Sequence, residues 1–237
     1  APVSEQGALF EFEASRLKAV DVRIFQIFQS NVIQFLQINE FDGNWELERV
    51  GKVIYKSTIN LEGQAESTND GWNKYYLDLS KLVKKEKGAL YHIQICFRQE
   101  HAIWNCTDEE TTQEDQTADF WERFEDYSYG EYSWDYSNDP CDKSYYGFRN
   151  ALQHNYLSSN IGLMAKKDGK NTLRVIATTI NENKPLVDCK IKILNFQQQL
   201  ISEGTTNSSG IIDFQDAADA YFVVANSNND QNYLKLP

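Results

Sequence analysis

The chain is short of positive charge. Its 237 residues hold 23 Lys and Arg against 35 Asp and Glu, a net charge of −12. Nucleic-acid binding needs clustered cations that neutralise phosphates, so this balance speaks against a DNA or RNA partner. Long apolar runs are missing as well: no stretch of ~18 apolar residues occurs, and no helical membrane span is expected. Histidine is scarce, with His92, His101 and His154 far apart. The four cysteines show neither Cys-x-x-Cys spacing nor a Cys/His pattern suited to zinc. No glycine-rich phosphate loop is present, and no serine or cysteine sits in a nucleophile elbow. Catalysis, a cofactor and a metal site are therefore not expected. The opening APVSEQGALFEFEAS lacks the basic and apolar regions of a signal peptide. The closing NYLKLP reads as a strand cut from a longer chain.

What is there is patterned for a folded β protein, with 41% hydrophobic and 24% charged residues. Between Thr172 and Phe214, apolar runs are separated by turn chemistry. Val187, Cys189, Ile191 and Ile193 alternate with Asp188, Lys190 and Lys192, the period of a strand with one buried and one wet face. Asn183-Lys184-Pro185 and Asn207-Ser208-Ser209-Gly210 punctuate the runs. Ala220–Ala225 and Tyr233–Leu236 read as a closing hairpin across a polar loop, Asn226–Asn232. About seven strands fit one immunoglobulin-like sandwich here. In the first half, Lys18–Ile24, Val53–Leu61, Trp72–Leu79 and Ala89–Arg98 read as strands, and Val32, Phe35 and Leu36 have helical spacing. The expected fold is all-β: two antiparallel immunoglobulin-like sandwiches in tandem, residues 1–150 and 151–237. Residues 142–160 read as the connector up to the point where Tyr156 opens the second unit.

Residues 107–140 break the pattern. This insertion holds twelve Asp or Glu and a single basic residue, Arg123, so it carries nearly all of the net charge. It also holds Phe120, Trp121, Phe124, Tyr127, Tyr129, Tyr132, Trp134 and Tyr136. Loops this long in compact domains are usually functional or disordered. A solvated insertion is one reading. A docking surface is another, with carboxylates steering a basic partner and Trp121, Phe124, Tyr127, Tyr129, Tyr132, Trp134 and Tyr136 supplying contact area. Calcium ranks last, since the acidic spacing is not that of an EF-hand. Cys106 and Cys141 bracket the segment and are a disulfide candidate; closing the loop would restrict the unfolded chain by roughly 4 kcal/mol in the entropic account. Cys189 lies on the apolar face of its strand and reads as a buried thiol.

The stretches LKAVDVRIFQIFQSNVIQFLQINEFDGNWELERVGK, GALYHIQICFR and NDPC, and LSSNIGLMAKKDG through LRVIATTINENKPLVDCKIKILNFQQQLISEGTTNSSG to AYFVVANSNNDQNYLKL, resemble the amino-terminal macroglobulin-like domains of the bacterial α2-macroglobulin family. The resemblance covers most of the chain outside the insertion. It implies a non-catalytic scaffold piece of a broad-spectrum endopeptidase inhibitor, a trap that collapses around a protease after a bait region is cut. It implies endoproteases and neighbouring macroglobulin-like domains as partners, with a cell-envelope protein as a further one. It also implies an extracytoplasmic home, periplasmic or at the cell surface, as a secreted protein or a lipid-anchored lipoprotein. The family's thioester motif, Cys-x-Glu-Gln, is not matched: in Cys96-Phe97-Arg98-Gln99 an arginine replaces the glutamate, inside an alternating strand. A different class of function is a surface adhesin or glycan-binding module, with Trp45, Trp72, Trp104, Trp121 and Trp134 as a stacking platform. Burial of Trp45, Trp72 and Trp104 would count against it.

Overall fold

The computed structural model describes residues 9–64, 66–67, 71–104, 106, 121, 134–146, 150–168 and 171–236. Fourteen strands are described among these residues, with three short α-helices. The first unit contains β1 (Leu9–Ala14), β2 (Ala19–Ile27), β3 (Gly51–Asn60), β4 (Glu66–Ser67), β5 (Asn73–Asp78), β6 (Leu90–Cys96) and β7 (Leu152–Leu157). Its helices are α1 (Val32–Ile38), α2 (Leu47–Val50) and α3 (Leu79–Leu82). The second unit contains β8 (Ile161–Lys167), β9 (Leu173–Thr179), β10 (Lys190–Leu194), β11 (Leu200–Thr205), β12 (Ile211–Phe214), β13 (Phe222–Ser227) and β14 (Asp230–Lys235). The strands form four antiparallel sheets, ordered β3-β2-β6-β7 and β1-β5-β4 in the first unit, and β11-β10-β13-β14 and β12-β9-β8 in the second.

Each unit is a sandwich because period-two alternation aims one set of side chains inward. In the first, Val20, Val22 and Ile24 of β2 and Tyr91, Ile93 and Ile95 of β6 meet Phe12, Tyr75 and Leu77 of the facing sheet. In the second, Leu173, Val175 and Ala177 of β9 meet Ile191, Ile193, Val223 and Ala225. Cys189 is fully buried in this core as a free thiol.

The structure changes three expectations of local structure. β7 lies in the stretch read as a connector, yet it pairs with β6 from Leu90↔Leu157 to Ile95↔Leu152 and so completes the first unit's sheet. The two sets of sheets divide at Ser158–Asn160. Leu152–Leu157 was hard to read because Gln153, His154 and Asn155 look like loop chemistry; two of them face a buried surface described below. The strand expected around Val187 begins only at Lys190, since Asp188 has φ 55° and cannot extend the ladder. The loop read as Asn226–Asn232 is a two-residue turn, with Asn228 at φ 50° and Asn229 at φ 63°, and β13 and β14 run right up to it. Asparagine tolerates the left-handed region, and two such residues make the turn whose twist suits a hairpin.

A third core lies between the units. Phe25 and Ile27 of β2, Val32, Ile33, Phe35 and Leu36 around α1, Leu90 and Leu157 pack with Phe222, Val224 and Tyr233 of the second unit. The interior alternation of β13 and β14 is thus used twice, with Val223 and Ala225 turned into their own sandwich and Phe222 and Val224 into the shared core. Hydrogen bonds ring this core. The Tyr233 hydroxyl lies 2.8 Å from the Gln29 carbonyl oxygen and 3.0 Å from that of Gly88. Lys235 Nζ donates to the Asn39 carbonyl and pairs with Glu40 at 2.6 Å. Gln37 donates to the Phe196 carbonyl at 2.6 Å and accepts from Gln198 at 2.9 Å. Gly88 sits at the seam with φ 75°, and a Cβ there would come within 2.8 Å of the Gln231 Cβ. Glycine meets both the backbone and the contact requirement.

Candidate functional site

The residues that stand out are on the outer face of the four-stranded sheet of the first unit, opposite its sandwich core. A sheet face turned away from the core is normally wet. Here it is buried. Register places side chains from β2, β6 and β7 in rows: Ile27, Leu90 and Leu157; Phe25, His92 and Asn155; Arg23, Gln94 and Gln153; then Asp21 and Cys96. The first row enters the shared core. Along the face the rows become polar, and most of the polar atoms find partners, as exclusion of water requires; His92 Nε2 is buried without a hydrogen bond among the described residues.

Asp21 accepts from Thr58 Oγ1 at 2.5 Å and from Arg98 Nε at 2.7 Å. Buried His101 stands 3.8 Å from the same carboxylate, beyond hydrogen-bond reach. Arg23 Nε donates to Gln94 Oε1 at 2.7 Å. The Arg23 guanidinium lies 4.4 Å from the Trp121 ring centroid and 4.9 Å from that of Phe25, which replaces part of its hydration by ring quadrupoles. His92 Nδ1 is 2.5 Å from Asn155 Oδ1, and Asn155 Nδ2 donates to the carbonyls of Phe41 and Gly43, each at 2.7 Å. The loop between α1 and α2 is clamped in turn by Asn39, which donates to the Phe35 and Trp45 carbonyls and accepts from the Trp45 N–H.

Burial pushes His92 below the ordinary histidine range, and nearby Arg23 adds to this, against the opposing hydrogen bond that the ring makes to Asn155 Oδ1. Burial also lowers His101, outweighing the attraction of Asp21, and lowers His154. The folded state therefore holds these rings neutral where the unfolded chain, with histidines near ~6.5, begins to protonate. Their contribution to stability is complete above about pH 6.5 and is lost as pH falls towards the depressed folded values. We expect the melting temperature to fall from pH 7 to pH 5, with a shallower slope in His92→Gln; a thermal-melt series across that range checks it.

The expected site residues are placed as follows. Cys106 and Cys141 are bonded to one another, with Cα atoms 5.5 Å apart. Trp121 is 5% exposed and packs on Cys96 and under Arg23; its ring is occupied in covering the outer sheet face rather than offered to a partner. Trp134 and Tyr136 are exposed, at 69% and 56%. Phe124, Tyr127, Tyr129 and Tyr132 lie outside the described residues. Cys96 is buried in β6, 3.8 Å from the Asp21 carbonyl, with burial pushing its thiol strongly upward. It is a packing residue, as the departure from the thioester pattern implies. Trp45, Trp72 and Trp104 are not buried. Trp72 and Trp104 flank one turn: Ser15 Oγ donates to the Gly71 carbonyl at 3.0 Å, and the Arg16 guanidinium lies 4.4 Å over Trp104.

Where the two units meet, a cleft of roughly 390 Å³ opens beside the shared core, walled by β7 and the Phe41–Asp42 loop on one side and by Leu163 and β14 on the other. No sequence motif marked it, because its walls come from separate segments spread along the chain from Phe41 to Leu234.

Residues 158–237 match the family model described as the bacterial alpha-2-macroglobulin MG3 domain. The second unit is thus similar along its whole length to a domain of the bacterial alpha-2-macroglobulins. The fold of the whole chain is similar to that of solved macroglobulins. The E. coli alpha-2-macroglobulin structure spanning domains NIE-MG1 superposes with a TM-score of 0.57 at 15% identity, covering 100% of this chain and 90% of that one. The E. coli structure spanning MG0-NIE-MG1 gives 0.56 at 13% identity, covering 97% and 58%. Salmonella alpha-2-macroglobulin reacted with methylamine gives 0.53 at 13% identity, covering 99% of this chain and 11% of that one. The chain thus spans just over half of one solved fragment and about a ninth of the longer macroglobulin. No curated protein sequence matches it. The tandem-sandwich fold and the macroglobulin resemblance are both borne out.

Proposed function

We propose that this chain is a non-catalytic scaffold piece of a bacterial α2-macroglobulin-like endopeptidase inhibitor, acting as rigid wall in a protease trap. The shared core carries the reading: two macroglobulin sandwiches fused through Phe25, Phe35, Phe222 and Tyr233 transmit geometry without bending at their junction. The disulfide between Cys106 and Cys141 fits an extracytoplasmic location, where such bonds persist. Endoproteases and neighbouring macroglobulin-like domains are the partners this role requires; a cell-envelope protein and a lipid anchor would hold it in place.

The test uses the longer protein that carries these two units, incubated with a panel of endoproteases while cleavage and small-angle scattering are followed together. The expected result is cleavage at one exposed segment, then compaction and loss of activity on large substrates. Scattered cleavage without change of shape would overturn the trap. A second reading, glycan binding, is favoured by one observation, the exposure of Trp72 and Trp104 on either side of the Ser15–Arg16 turn. Glycan-dependent quenching of tryptophan emission, abolished in Trp104→Ala, would shift the assignment to an adhesin module.

A further inference from the structure

His92 is held neutral by the way its partners are arranged. Asn155 Nδ2 donates to the carbonyls of Phe41 and Gly43, so the end of the amide that faces His92 Nδ1, 2.5 Å away, is Oδ1, which only accepts. The neutral ring therefore carries its proton on Nδ1. Nε2 keeps a bare lone pair, and that atom is buried without a hydrogen bond among the described residues. A second proton can enter only there. From β2 the ring meets Phe25 and the Arg23 cation, and from β7 it meets His154, Asn155 and Gln153. Arg23 and His154 both oppose a positive ring, and His92 itself is 1% exposed. Glu40 and Asp42, the carboxylates of the neighbouring loop, are exposed. Gln153 favours the charged ring, as Asn155 does, yet its Oε1 already accepts from Asn44 Nδ2 at 2.9 Å.

The two amides that favour the charged ring also hold the loop from Asn39 to Asn44. Asn155 fixes it through Phe41 and Gly43, and Gln153 through Asn44. That loop in turn meets the second unit. Lys235 Nζ donates to the Asn39 carbonyl and pairs with Glu40, while Phe41 packs on the shared core and walls the cleft. We propose that His92 is an acid-sensitive latch of the junction: a proton on Nε2 draws Gln153 from Asn44, drives the ring towards water and frees the loop of residues 39–44 from the second unit. A charged ring buried beside a guanidinium has lost its hydration and gained repulsion, so it is stable only where the clamp is open. In that open form the ring has the ordinary histidine affinity for a proton, near ~6.5. The latch is therefore shut above about pH 6.5 and opens as pH falls below it, by at most about tenfold in the opening equilibrium per pH unit for one proton. Neither sandwich core includes a residue of the loop, so both survive its release. The latch goes beyond the scaffold reading and does not rest on it, since it concerns the 237-residue chain alone.

The test follows amide exchange by NMR from about pH 7.5 to about pH 5.5, expressed as protection relative to an unstructured chain at the same pH. Gly43 and Trp45 report the loop, because their N–H groups bond the Glu40 carbonyl and Asn39 Oδ1. Val175 and Ile191 report the second sandwich. We expect protection of Gly43 and Trp45 to fall by up to about tenfold per pH unit below about pH 6.5, and that of Val175 and Ile191 to stay constant. His92→Asn keeps a donor facing Asn155 and cannot titrate, so its loop protection should not change with pH. If that variant fails to fold, the imidazole nitrogen shifts of the unmodified chain serve instead. They should show the proton on Nδ1 and a bare Nε2 at neutral pH, with ring titration and loss of loop protection sharing one midpoint. Loop protection that ignores pH, or a proton found on Nε2 at neutral pH, would overturn the proposal. So would a pH dependence that persists in His92→Asn, which would make His101 or His154 the sensor. Loss of protection at Val175 and Ile191 in step with the loop would also overturn it, since acid would then unfold the chain rather than open its junction.

Discussion

Replacing Phe222 by alanine is expected to destabilise both sandwiches together, not the second alone. Phe222 is fully buried, and it points away from its own sandwich core into the core shared with α1, Phe25 and Leu90. Truncating a buried phenylalanine costs about 3–5 kcal/mol, from lost transfer energy and the cavity left behind. For a chain of this size that is a fall of roughly 10 °C in melting temperature. What distinguishes the shared core from an ordinary interdomain contact is cooperativity. Interfaces between domains of one chain are commonly polar enough to open. The centre of this one is apolar and closed to water, with Phe25, Phe35, Leu90, Phe222 and Tyr233 all buried. The unmodified chain should therefore unfold in one calorimetric transition, with calorimetric and van't Hoff enthalpies equal. Phe222→Ala should lower that single transition or split off the second unit at lower temperature, while Met164→Ala, at a residue 65% exposed on β8, should leave it where it is. Two transitions in the unmodified chain, with only one of them moved by the substitution, would show that the units fold separately.

The second large effect is expected at Trp121. It is the buried one among the five tryptophans: the other four are between 37% and 73% exposed. Trp121→Ala would open Cys96 and the Arg23 guanidinium to water and remove the ring that stands 4.4 Å from that charge. A cost of about 3–5 kcal/mol is expected for a buried tryptophan. Two spectroscopic consequences follow. The blue-shifted component of tryptophan emission should vanish, and the Cys96 thiol should begin to react with a small thiol reagent under native conditions. Arg23→Met, which keeps the stem but drops the charge, should retain most of the blue-shifted emission, because packing on Cys96 survives. If emission is unchanged in Trp121→Ala, the ring does not cover this face in solution.

The two units were legible in the sequence to different degrees, and the difference is physical. In the second unit, one wall of each strand is core and turns are marked by Asn, Pro and Gly, so alternation reads directly; seven strands are found where about seven were expected. In the first unit, β2 and β6 are buried on both faces, and AVDVRIFQI hides a polar row inside an apolar strand. Alternation marks Asp21 and Arg23 as solvent-facing by type. Only the covering by Trp121 and Arg98 makes them interior. The signal that could have revealed this is that Phe25, Ile27 and Leu90 share the supposedly wet face. β7 was missed for the same reason, since Gln153 and Asn155 are polar residues chosen for buried partners, Gln94 and His92, that lie about sixty residues earlier. The cleft was invisible because no local pattern encodes the meeting of β7 with β14.

The family model's boundary at residue 158 separates Leu157 from Ser158, and so cuts through the shared core. Residues 158–237 are therefore not a transplantable part. A chimera that moves them onto a foreign first unit would present Phe222, Val224 and Tyr233 to a surface never shaped for them, and would have to carry the α1 helix and the Gly88 seam as well. A change at Leu90 or Leu157 on one side and at Phe222 or Val224 on the other would act on the same packed surface, so the pair is one packing unit.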